Sequence, residues 1–121
     1  MKLIKRVLMT FTFSLIITSC SAQVKNAKTA NVKINGNCGM CESKIEKTGN
    51  IKKVVKVDWD SETKMAVISY DTNKTNLEEI LNRIALSGYD NEKFSAPDDV
   101  YSNLHGCCQY EREKSDVPKA K

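Results

Sequence analysis

Val32-Lys33-Ile34-Asn35-Gly36-Asn37-Cys38-Gly39-Met40-Cys41 runs from an alternating strand, through a tight turn, into a pair of cysteines. Val32 and Ile34 alternate with Asn31, Lys33 and Asn35, the period-two pattern of a strand with one buried face. Gly36-Asn37 stops that strand. The segment Glu42 to Thr48 follows with Ile45 as its apolar anchor, and Gly49-Asn50 marks a helix stop. The two cysteines therefore stand at the junction of a loop and a helix start.

Downstream, Val55, Val57 and Trp59 alternate with Lys56, Asp58 and Asp60. After the turn Asp60-Ser61-Glu62-Thr63, a third alternating run carries Met65, Val67 and Ser69 against Ala66, Ile68 and Tyr70. Residues 75–87 fit a second helix. Thr75 or Asn76 can cap it, Glu78 and Glu79 suit its first turn, and Leu77, Ile80, Leu81 and Ile84 recur at three- and four-residue steps. Gly88 ends that helix, and Tyr89 to Ala96 can supply a short fourth strand. The order β-α-β-β-α-β over residues 31–96 predicts an α+β, ferredoxin-like sandwich with both helices on one face of the sheet.

The ends of the chain read differently. Lys2, Lys5 and Arg6 precede an apolar run, Val7 to Ile17, and small residues follow, which is the composition of a secretory signal over residues 1–19. Ile17-Thr18-Ser19-Cys20 resembles a lipobox, with Cys20 the acylated first mature residue; the other reading is cleavage after Ala22. Residues 20–30 then form a tether. Either reading puts the protein outside the cytoplasm, in the periplasm or anchored to a membrane as a lipoprotein. Of 19 Lys and Arg, the signal holds Lys2, Lys5 and Arg6, so the remainder sets 16 basic residues against 15 acidic ones. No basic stripe supports nucleic-acid binding. Lys44, Lys47, Lys52 and Lys53 are interleaved with Glu42 and Glu46, and read as either a solvated face or a basic docking face.

Four cysteines remain after Cys20: Cys38, Cys41, Cys107 and Cys108. A lone CxxC is a metal site, a thiol-disulfide pair or a structural fragment. Several features favour metal. A helix N-terminus lowers thiol pKa, thiolates are soft ligands, and only two ligands are local, which suits near-linear Cu(I) or Hg(II) better than four-coordinate Zn(II).

These pieces together resemble the heavy-metal-associated domain family, which includes copper metallochaperones, N-terminal modules of copper-transporting ATPases and mercury-binding proteins. The resemblance rests on residues 32–41, Ile45-Glu46-Lys47, Val54-Val55-Lys56-Val57-Asp58, Ala66 to Asp71, and Leu77-Glu78-Glu79-Ile80 through Ser87-Gly88-Tyr89-Asp90. It implies Cys38 and Cys41 as metal ligands. It also puts Tyr89 where members often carry a Tyr or Lys close to the metal loop; otherwise Tyr89 is a core aromatic. One departure stands out. The family's Met two residues before the first Cys is Gly36 here, and a Met lies inside the pair as Met40. Packing down in place of the missing Met is the expected role of Met40, and an exposed thioether ligand is the other.

The extension 97–121 adds a short helix with Pro97 near its start, Val100, Tyr101 and Leu104 on its apolar side, and His105-Gly106-Cys107-Cys108 beyond it. Cys107, Cys108 and His105 either add ligands, form disulfides with Cys38 and Cys41, or are inert. The last dozen residues are charged and read as disordered. The functional expectation is a non-enzymatic protein that sequesters Cu(I) or passes it by ligand exchange to a metal-transporting membrane protein. The alternatives are a thiol-disulfide oxidoreductase and a metal-sensing accessory subunit of a transporter.

Overall fold

A computed structural model describes residues 24–121. The signal, Cys20 and the first residues of the tether lie outside the described residues. Three strands, β1 (Ala27–Lys33), β2 (Val55–Trp59) and β3 (Met65–Asp71), form an antiparallel sheet in the order β1-β3-β2. Helix α1 (Gly39–Gly49) links β1 to β2, and α2 (Leu77–Leu86) follows β3. A short helix α3 (Asp98–Ser102) and a 3-10 turn, Gly106–Cys108, make up the extension. This is the expected α+β sandwich. Strand β1 begins at Ala27, within the stretch read as a tether, and pairs there with Asp71.

Register places the apolar residues in rows across the sheet. Val32 and Trp59 both face Ala66, while Ala30 and Val57 both face Ile68. Alternation sends this set to one side, where Ile45 of α1 and Ile80, Leu81 and Ile84 of α2 cover it. All four of those helix residues are fully buried. Asn76 caps α2 by accepting from the Glu79 N–H at 3.0 Å. Gly49 ends α1 close against β2: a Cβ there would lie 2.5 Å from Val57 Cγ2.

The fourth strand is not formed. Tyr89 to Ala96 keeps its place beside β1 through a single bridge, Ile34 to Asn91, and the bond from Asn35 N–H to Asp90 O at 2.8 Å. The reason is local. The Asn91 side-chain oxygen accepts from the N–H groups of Lys93 and Phe94, turning the chain away after two residues. The Glu92 carboxylate takes the Lys33 N–H instead.

The last dozen residues are not loose, contrary to their charged composition. Tyr110 is 3% exposed, and its hydroxyl accepts from Asp90 N–H at 2.8 Å and donates to Gly88 O at 2.9 Å. Arg112 grips the Asp90 carboxylate with two nitrogens, each at 2.9 Å, and reaches Asp98 and the Ala96 carbonyl. Its guanidinium lies 4.7 Å from the Tyr101 ring centre. Lys119 pairs with Asp98, and Ala120 is buried. These contacts hold the extension against the end of the sandwich that carries the cysteines.

Candidate metal centre

Cys38 is the N-cap of α1, in extended backbone conformation, and Cys41 lies one turn in with no exposed surface. Their sulfurs are 3.8 Å apart. The 3-10 turn of the extension brings a third: Cys108 is 2% exposed, and Sγ atoms of Cys38, Cys41 and Cys108 all lie within 4.8 Å of one another. This is the three-residue group of His, Cys, Asp or Glu side chains with metal-binding spacing found among the described residues.

The local pair is thus joined by Cys108 in a triangle of sulfurs, while Cys107 and His105 lie outside it. With metal–sulfur bonds of about 2.3 Å, two sulfurs stand about 4.6 Å apart in linear coordination and about 4.0 Å apart in trigonal coordination. At 3.8 Å the Cys38–Cys41 separation is shorter than linear coordination requires and falls in the trigonal-to-tetrahedral range.

The thiols differ in their readiness to ionise. The Cys41 backbone N–H, helped by that of Met40, lowers the Cys38 pKa to about 7, so a large share is thiolate near neutrality. Burial pushes Cys108 up to about 12. Cys38 is thus the sulfur most available as a thiolate, and Cys108 would have to give up its proton to ligate an ion.

Support comes from below and from the side. Trp59 packs under the loop: a Cβ on Gly36 would lie 3.0 Å from its Cζ2, and the indole N–H donates to Ile34 O at 2.9 Å. The volume left by the family's missing Met is filled by this ring. Nothing in the strand pattern marks Trp59 for that task, since its period-two position already explains it as core. Tyr89 is fully buried, as its reading as a core aromatic expects, and it also lies beside the cysteines. It is in the core, and its polar neighbours are the sulfurs of Cys108 and Cys41. Burial pushes its pKa well upward, and among the described residues its hydroxyl has no hydrogen-bond partner. That leaves a donor available to a metal-bound thiolate.

Met40 does not pack down. It is 51% exposed, because the second position of α1 faces outward, and its Sδ accepts from the Cys107 thiol at 3.5 Å. Cys107 is exposed, with its carbonyl held by the Asn37 amide at 3.3 Å and approached by Cys38 Sγ at 3.7 Å. All four cysteines are free thiols, so the disulfide reading of the extension is not the form described. His105 is exposed on the rim of a groove of about 360 Å³ shared with Met40, Lys44, Lys47, Tyr89 and Cys108, and is not one of the three clustered ligands.

Residues 31–90 match the heavy-metal-associated domain. No curated protein matches the sequence. Among solved structures the chain is similar to a CopZ metallochaperone, with 27% identity over 53% of this chain and 98% of that one, and a TM-score of 0.48. The strand-loop-helix carrying Cys38 and Cys41 and the match that surrounds it agree: this chain belongs to the heavy-metal-associated domain family.

Proposed function

We propose that this protein binds Cu(I) outside the cytoplasm and carries or sequesters it, without catalysing a reaction. The observation that carries the reading is the convergence of the Cys38, Cys41 and Cys108 sulfurs within 4.8 Å at a helix start. Three soft anionic ligands in a largely buried triangle suit a soft d10 ion. They leave Zn(II) one protein ligand short of the closed structural site it favours. Hg(II) is the competing cargo of the same chemistry. Release proceeds by ligand exchange, an incoming thiolate from a metal-transporting membrane protein displacing Cys38, the partly exposed member. Residues 1–19 act as the export signal and Cys20 as the lipid-bearing residue, holding the carrier beside its membrane partner.

The test is an anaerobic Cu(I) titration of the reduced protein against a chromophoric chelator. The Cys38→Ser/Cys41→Ser form should lose tight binding, and Cys108→Ser should weaken it by at least about tenfold, or ~1.4 kcal/mol. Failure of the unmodified protein to compete for copper removes the carrier reading.

A further inference from the structure

The sulfur atoms do not end at the triangle. Cys107 Sγ lies 4.0 Å from Cys108 Sγ and 3.5 Å from Met40 Sδ. Five sulfurs thus form a chain from the core to the surface: Cys41 and Cys38, then Cys108, then Cys107 and Met40. The Cys38–Cys41, Cys108–Cys107 and Cys107–Met40 spacings, 3.8, 4.0 and 3.5 Å, are close to what two ligands of one ion require with bonds of about 2.3 Å.

Resting on the copper-binding reading above, we propose that Cys107 and Met40, sharing Cys108 as a bridging thiolate, form a second soft-metal position, so that the protein holds two Cu(I) ions. The pairing is a built one. The Cys107 backbone is fixed over the CxxC loop by the Asn37 amide at 3.3 Å, and Met40 is directed outward by its place in the first turn of α1. An exposed methionine is otherwise unexplained at this position, since its side chain contributes little to the core. The inner ion has three thiolates. The outer one has a shared thiolate, a thiolate of its own and a neutral thioether. Counted from the fully protonated thiols, filling both replaces four protons by two monocations, with no change in oxidation state and no bond to Met40 that needs a proton released. The outer ion is held more weakly and exchanges faster, because its ligands carry less charge and are open to solvent. It is the position from which copper arrives at, or leaves, the inner triangle.

Native mass spectrometry and chelator competition on the reduced full-length protein, with Cu(I) as probe, test this directly. The unmodified protein should take two ions in two steps. Met40→Leu/Cys107→Ser should take one, with first-ion affinity within about threefold of the original. Cys38→Ser/Cys41→Ser should lose the tight first step. One ion only on the unmodified protein, bound tightly, overturns the second position and leaves the copper-binding reading standing. Two ions on Met40→Leu/Cys107→Ser also overturn it. No tight ion on the unmodified protein overturns both.

Discussion

Changing Tyr110 to Phe removes one oxygen and leaves the ring stacked on Tyr89 at 6.1 Å and edge-to-face with Tyr101 at 5.1 Å between centres. The lost hydroxyl accepts from Asp90 N–H at 2.8 Å and donates to Gly88 O at 2.9 Å. Both backbone groups then stay buried without a partner, at about 1–3 kcal/mol each. When the extension lifts away, the same groups meet water in either protein, so the loss falls on docking of the extension. Docking weakens by about 2–6 kcal/mol. The lifted fraction rises at least about 30-fold, and up to about 20,000-fold, at ~1.4 kcal/mol per tenfold. Cys108, 2% exposed, reports that fraction through its labelling rate with N-ethylmaleimide in reduced, metal-free protein, read by peptide mass spectrometry. Labelling of Cys107, already exposed, should scarcely change. A Cys108 rate within threefold of the original, in a variant that retains its circular dichroism, would refute the idea that Tyr110 holds the third sulfur in place.

Two further outcomes follow from the loop. Gly36→Met, which restores the family's usual residue, drives a side chain into space where Trp59 Cζ2 is 3.0 Å and Cys41 Cβ 3.2 Å from the new Cβ. It should destabilise by about 1–3 kcal/mol through overpacking and lower the urea midpoint; an unchanged midpoint means the ring does not fill that volume. Because thiolate is the reactive form, alkylation of Cys38 by iodoacetamide in metal-free protein should climb as pH rises through about 7 and level off above it. A midpoint near 9 would show that the α1 amides do not stabilise this sulfur.

The sandwich was legible because its signals are periodic and local. Val32 and Ile34, Val55 to Trp59, and Ala66 to Tyr70 each alternate, and the α2 stripe repeats at helical spacing, so burial follows from pattern alone. The Cys38–Cys41 pair was legible for the same reason, being only three residues apart in sequence. What depended on distant partners was not. The fourth strand fails on one Asn side chain that prefers its own turn. The extension looked disordered because Tyr110 and Arg112 acquire their meaning only from Gly88 and Asp90, about twenty residues earlier. Met40 was read as a packing residue because the vacancy at Gly36 was visible in sequence, whereas its occupant, Trp59, comes from another strand.

Under the proposed copper-binding reading, the docked extension also bears on how the metal can leave. A sulfur tethered to the same chain is presented to the ion at an effective concentration of order millimolar for a short flexible link, and higher when the link is clasped. Arg112 and Tyr110 supply that clasp for Cys108. A small thiol free in solution must match this local supply before it can strip the ion. A protein acceptor that seats its own cysteine against the surface at Met40 and Cys107 has a local supply of its own. Delivery then selects for contact between two proteins, and the surrounding pool of thiols gains little by being abundant.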